Sequence, residues 1–133
     1  MVPLSFKTVI RRLKELQLPE FDLVIGIGSG GIVPASLVAF HLDKELGIMV
    51  LNYRDETNTP RFEDPQLISL PENFTLNDQK ILLVDDVSVS GKTLQKAREL
   101  LGEGNVTTLT MKGKADYVLF PEIRECVKWP WKI

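Results

Sequence analysis

The chain has 133 residues, about the length of one domain. Lys and Arg number 16 and Asp and Glu 18, a net charge of −2. That excludes a general nucleic-acid binder, which needs a basic excess, but not a local site for a phosphorylated small molecule. With 44% hydrophobic and 26% charged residues, the composition is globular rather than disordered.

Ser5 precedes Phe6, Val9, Ile10, Leu13 and Leu16, apolar positions at helical spacing. Ser5 is the expected N-cap and Pro19 the stop. Residues 22–27 (DLVIGI) form an apolar run ending in glycines, the pattern of a buried parallel strand. After the glycine loop, Ile32, Ala35, Ala39, Leu42 and Leu46 mark one helix face, with Pro34 in the first turn and Gly47 as the expected stop. Residues 48–53 (IMVLNY) read as a second strand, which completes a βαβ unit.

Residues 54–65 (RDETNTPRFEDP) hold six charged side chains in twelve and only Phe62 as a large apolar group. They cannot build core, and a loop of this length is functional or mobile. Residues 67–70 read as a short edge strand. Residues 80–84 (KILLV) form a third buried strand, with Asp85 and Asp86 following at its end. Gly91 opens a helix with Leu94, Ala97, Leu100 and Leu101 on one face, closed by Gly102 and Gly104. Residues 106–111 and 117–120 read as further strands, and the tail VKWPWKI holds both tryptophans. Alternating strands and helices predict an α/β fold: an open, mainly parallel sheet flanked by helices, in a single domain over 1–133.

The single cysteine, Cys126, and single histidine, His41, assemble neither an internal disulfide nor a zinc site. No apolar run nears 18 residues, and the first twelve residues lack a signal peptide's unbroken apolar stretch. A reduced cytoplasmic compartment is the expectation.

Three phosphate-site patterns compete. Gly26, Gly28 and Gly31 match G-x-G-x-x-G between a strand and a helix, with Asp55 standing 24 residues after Gly31. This is the pattern of a dinucleotide-binding oxidoreductase, against which stands a plain tight turn. Gly91-Lys92-Thr93 has the ending of a nucleotide-triphosphatase loop, but Asp86 occupies the place of its first glycine. The third pattern is the whole run ILLVDDVSVSGKT, residues 81–93. It sets two carboxylates beside a turn whose hydroxyls, backbone N–H groups and helix dipole suit one phosphate. Carboxylates beside a phosphate cradle make sense for a ligand that also presents hydroxyls or a divalent cation, as a phosphorylated sugar does.

The run Val84 to Thr93 resembles the signature of type I phosphoribosyltransferases: a strand, two acids, a short loop, then Ser/Thr-Gly-x-Ser/Thr. Residues 27–35 (IGSGGIVPA) are similar to the family's pyrophosphate loop. The resemblance covers residues 20–112 and is closest to small purine enzymes of the xanthine–guanine type. It implies Mg²⁺-dependent transfer of phosphoribose from phosphoribosyl pyrophosphate to a purine base, a 6-oxopurine, with release of pyrophosphate. Asp85 and Asp86 would hold the ribose hydroxyls, directly or near the metal. Ser88, Ser90, Gly91, Lys92 and Thr93 would hold the 5′-phosphate. Ser29, Gly30 and Gly31 would present N–H groups to pyrophosphate, with a non-proline cis bond implied at Ser29–Gly30. Residues 54–65 would form a mobile lid with Arg54 and Arg61 as its cations. A homo-oligomer, dimer or tetramer, is also implied, with no nucleic acid or membrane as partner.

The sequence departs from the family in several places. Ser29 stands where close relatives carry Arg or Lys, and Val89 where 6-oxopurine enzymes carry Asp. A short tail stands in place of a large hood over the base. Lys114-Ala115-Asp116-Tyr117 is similar to a segment whose lysine meets the base oxygen, and Trp129-Pro130-Trp131 to the ending of the xanthine–guanine enzymes. The implied base site is Lys114, Val127 and Trp129. Cys126 stands where those enzymes have their stacking tryptophan. Trp129 either replaces it or docks on the core or a partner, and Lys114 has a solvated strand end as its alternative. The rival functions are a non-catalytic regulator that senses phosphoribosyl pyrophosphate or nucleotides on the same fold, and the oxidoreductase.

Overall fold

A computed structural model of the chain describes residues 1–51, 67–70, 72, 75–102 and 105–132. The expected lid, with Arg54 and Arg61, lies outside the described residues. The main sheet has six strands in the order β4-β3-β2-β5-β6-β7. These are β2 (Leu23–Gly28), β3 (Glu45–Val50), β4 (Leu67–Ser69), β5 (Ile81–Ser88), β6 (Val106–Gly113) and β7 (Tyr117–Val118). Five strands run parallel, and β4 joins β3 antiparallel at the edge. A separate two-stranded parallel ribbon pairs β1 (Val2–Pro3) with β8 (Val127–Lys128).

The central strands are apolar throughout because both faces of the sheet are covered. Val24 of β2 and Leu82 and Val84 of β5 face α1 (Phe6–Glu15) and α2 (Ile32–Leu42), in one cluster with Val9, Leu13, Ala35 and Val38. The alternate residues Leu23, Ile25, Ile81 and Leu83 face α3 (Lys92–Leu101) through Leu94, Ala97 and Leu101. From β2 the chain crosses through α2 to β3 on one side. From β5 it crosses through α3 to β6 on the other. The winding therefore reverses between β2 and β5, and a crevice opens beyond their C-terminal ends, where open α/β sheets bind ligands.

Local chemistry sets most element ends. Thr8 N–H donates to Ser5 Oγ at 3.1 Å, the N-cap bond expected of Ser5. Several boundaries differ from expectation. Helix α2 ends at Leu42, where Asp43 takes φ 55° and turns the chain. Leu46 and Gly47 then belong to β3, so Gly47 is a strand residue rather than the helix stop. A side chain at Gly47 would sit 2.9 Å from Leu70 and 3.1 Å from the Ser69 carbonyl, so close packing against β4 explains the glycine. Strand β5 also continues four residues beyond Val84 and carries Asp85 and Asp86 within the ladder, where Asp85 pairs with Thr110.

The tail folds back onto the α1–α2 face. Trp129 is 3% exposed, its ring stacked on Trp131 at 5.3 Å and tilted against Phe120 at 6.1 Å. Arg12 of α1 holds the neighbouring segment. Its guanidinium donates to the Leu119 carbonyl at 2.7 Å, forks onto Glu122 at 2.9 and 2.8 Å, and lies 4.6 Å from the Phe120 ring centre. The Arg12 hydrogen bond holds the Glu122 carboxyl down to about 2. Trp129→Ala removes a large buried ring and is expected to cost about 3–5 kcal/mol. Trp131→Ala, at a half-buried position, should cost clearly less; urea denaturation of the two variants measures both.

Candidate active site

Two loops meet at the reversal point. The first follows β2 and spans residues 28–31. Gly31 N–H donates to the Ile27 carbonyl at 2.8 Å, and Ile32 N–H to the Ser29 carbonyl at 3.2 Å. The cis peptide bond lies between Gly28 and Ser29, one residue earlier than expected. A Cβ at Gly30 would stand 2.7 Å from Asp86 Oδ2, and one at Gly31 would stand 2.7 Å from the Val84 carbonyl. Only glycine lets this loop rest on β5, so its backbone is held against the carboxylates.

Asp85 and Asp86 differ in their surroundings. Asp86 Oδ1 accepts from Val87 N–H at 2.7 Å, and Oδ2 pairs with Lys132 Nζ at 3.0 Å. Asp85 Oδ1 accepts from Asp86 N–H at 2.8 Å. Burial raises the Asp85 carboxyl to about 7; the backbone hydrogen bond from Asp86 opposes this, and the Asp86 charge adds to it. A carboxyl so placed gains from any cation or hydroxyl donor that enters beside it.

The second loop carries β5 into α3. Gly91 takes φ 85° and leads into the helix, and Ser90 Oγ accepts from Lys92 N–H at 3.3 Å. The α3 N-cap makes no side-chain hydrogen bond, and no acid stands in the first turn. The helix N-terminus therefore points free donors and a positive dipole end at an incoming anion. A cavity of about 250 Å³ lies here, lined by Asp85 and by every residue from Val87 to Leu94. The expected 5′-phosphate residues Ser88, Ser90, Gly91, Lys92 and Thr93 thus share one cavity with Asp85.

A second cavity, of about 390 Å³, shares Val87, Ser88 and Val89 with the first and extends to Lys112, Lys114 and Phe120. Lys114 N–H donates to the Ser88 carbonyl at 2.8 Å, which fixes that strand end beside the phosphate turn. Val89 is 82% exposed at this junction. Two of the three expected base-site residues lie elsewhere. Trp129 is in the core because Phe120 and Trp131 contact its ring. Val127 is held in β8 by pairing with Val2 and packs on the core. Neither lines the cavity, though Trp129 touches Phe120, which does.

Sequence reading missed Lys112 and Lys132. Lys112 carried a signal: it is the one charge in the otherwise uncharged run of β6, at the same strand parity as Lys114. Lys132 carried none, because its meeting with Asp86 depends on how the tail docks. The carboxylate pair fits Mg²⁺ as an ion shared with ligand phosphates. Among the described residues no group of three His, Cys, Asp or Glu side chains forms a dedicated cage. Mg²⁺ bound through one or two carboxylates plus substrate phosphates needs none.

Residues 3–115 match the phosphoribosyl transferase domain family, and the chain belongs to it. The orotate phosphoribosyltransferase of Sulfurisphaera tokodaii is 31% identical over 94 residues, covering 71% of this chain and 43% of that protein. The xanthine-guanine phosphoribosyltransferase of Cereibacter sphaeroides is 32% identical over 111 residues, covering 81% of this chain and 64% of that one. The chain thus spans less than two thirds of the length of either relative. The purine phosphoribosyltransferase of Pyrococcus horikoshii Ot3 shares the fold, with a TM-score of 0.77 at 24% identity over 99% of this chain and 94% of that one. No helix among the described residues is long and apolar enough to cross a membrane.

The raised Asp85 carboxyl predicts a pH dependence. The folded form holds its proton to about 7 against an ordinary value of 3.8, so ionisation above pH 4 disfavours the folded state. Its contribution to stability falls between pH 4 and 7 and is constant above. Asp85→Asn should therefore raise the Tm of the ligand-free, metal-free protein. The gain should grow across that window to several degrees at pH 8; thermal denaturation at four pH values shows it.

Proposed function

We propose that the protein transfers phosphoribose from phosphoribosyl pyrophosphate to a 6-oxopurine, giving a nucleoside monophosphate and pyrophosphate. The observation that carries this reading is the pair of contiguous cavities meeting at Val87–Val89, one at a helix N-terminus beside Asp85 and the other beside Lys112 and Lys114. Two cavities that share lining residues suit one ligand with a phosphate end, a hydroxylated centre and a flat ring.

In this reading the α3 N-terminus and residues 88–93 hold the 5′-phosphate. Asp85 and Asp86 accept hydrogen bonds from the ribose hydroxyls, and Ser29 and Gly30 offer N–H groups to the leaving pyrophosphate, the Gly31 N–H being held by the Ile27 carbonyl. Mg²⁺, when bound with the cosubstrate, neutralises charge on the pyrophosphate oxygens. The bond from C1 of ribose to pyrophosphate breaks, and a new bond forms from C1 to a ring nitrogen. Pyrophosphate leaves with the electron pair, and the ring N–H proton passes to solvent. The transition state has oxocarbenium character, as in other glycosyl transfers. Val89 accepts no proton, so no general base acts on the purine from that position.

The base assignment rests on the lysines. An ammonium is donor-only: it pairs with an exocyclic oxygen and leaves an amino group without a partner. Guanine, hypoxanthine or xanthine should support pyrophosphate release, and adenine should not. Lys114→Met should lower kcat/KM for the oxopurines by roughly tenfold or more. Val89→Asp, which restores a proton acceptor, should raise kcat by up to about 10²-fold. Equal use of adenine and guanine by the parent would remove the 6-oxo assignment. Phosphoribosyl pyrophosphate binding with no turnover on any base would favour the regulator. The variant carrying both Asp85→Asn and Asp86→Asn should keep its fold and lose Mg²⁺-dependent cosubstrate binding, as calorimetry would report.

A further inference from the structure

We infer that Lys132 supplies the cationic contact to the pyrophosphate end of the ligand, an assignment that rests on the phosphoribosyl pyrophosphate reading above. The glycine loop that would receive pyrophosphate, residues 28–31, has no basic side chain of its own. A cation nevertheless stands beside it. Lys132 Nζ lies 3.0 Å from Asp86 Oδ2, the same oxygen that sits 2.7 Å from the missing Cβ of Gly30. The ammonium and Gly30 of the loop thus both lie close to one carboxylate oxygen.

The placement is built into the packing of the tail. Trp129 is buried, Trp131 stacks on it and meets Phe6 of α1, and Lys132 N–H donates to the Trp129 carbonyl at 3.1 Å. The Lys132 side chain leaves this anchored turn toward the crevice and stays 56% exposed, so the ammonium remains open to an incoming anion. An ammonium offers three donors, and one bond to Asp86 leaves two for phosphate oxygens. Asp86 then orients the cation while the ligand uses it. A structural role for the same contact would be limited to holding Asp86 in place for the ribose hydroxyls. The two predict different ligand dependence.

The test is calorimetric titration, at fixed Mg²⁺, of pyrophosphate, phosphoribosyl pyrophosphate and ribose 5-phosphate into the parent, Lys132→Met and Lys132→Arg. Loss of one charge-assisted contact should weaken pyrophosphate and phosphoribosyl pyrophosphate by roughly tenfold or more in Lys132→Met. Ribose 5-phosphate, which has no pyrophosphate, should bind within about twofold of the parent, and Lys132→Arg should retain parent-like affinity for all three. Adding Ser29→Lys to Lys132→Met returns a cation to the loop and should recover pyrophosphate binding. Unchanged pyrophosphate affinity in Lys132→Met, or an equal loss for ribose 5-phosphate, overturns the assignment and leaves the proposed reaction standing. A parent that binds neither pyrophosphate nor phosphoribosyl pyrophosphate overturns both.

Discussion

The close approach of the β2 loop to β5 is the contact on which the site depends. A side-chain carbon at Gly30 would collide with Asp86, and one at Gly31 with the backbone of Val84. With glycine at both positions the two central strands bring the loop backbone against a pair of carboxylates. The reversal of winding between these strands clears the space above them, since α2 and α3 depart to opposite faces. The loop backbone and the two carboxylates are thus brought together by one packing event.

That packing makes the carboxylates costly. Burial, above all, holds Asp85 well above its ordinary value, and the adjacent Asp86 charge adds to the effect. Asp86 is relieved locally by the Val87 N–H and by the Lys132 ammonium. Asp85 accepts one backbone bond, and its lining of the phosphate cavity is where a ligand adds more. A ligand that brings hydroxyls and a divalent ion relieves a group the fold has left under-solvated.

The far edge of the sheet carries the second cavity. Lys112 and Lys114 stand on the same side of β6 and its extension, and Gly113 lies between them. At this cavity the tail contributes by support rather than by contact. Trp129 fills the space next to Phe120, Arg12 clamps the segment from Leu119 to Glu122, and the β1–β8 ribbon ties the two ends of the described chain together.

The sequence by itself determined the layered architecture and much of the candidate phosphate site. Unbroken apolar runs in residues 23–27 and 81–84 required strands covered on both faces, and the 3.6-residue spacing in 94–101 required a helix on one of them. The run from Asp85 to Thr93 is contiguous, so its acids, hydroxyls and helix start meet through local geometry alone. Only the tertiary structure decided what lies between distant segments. The periodicity of residues 32–46 continues past the true end of α2, because the left-handed turn at Asp43 overrides it. Aromatic residues in the tail have the same composition whether they stack on a ligand or on each other, and docking against Phe120 and α1 chose the second. Lys132 joined Asp86 across 46 positions of sequence, a meeting set by the packing of Trp129 and Trp131 and by nothing in the local pattern.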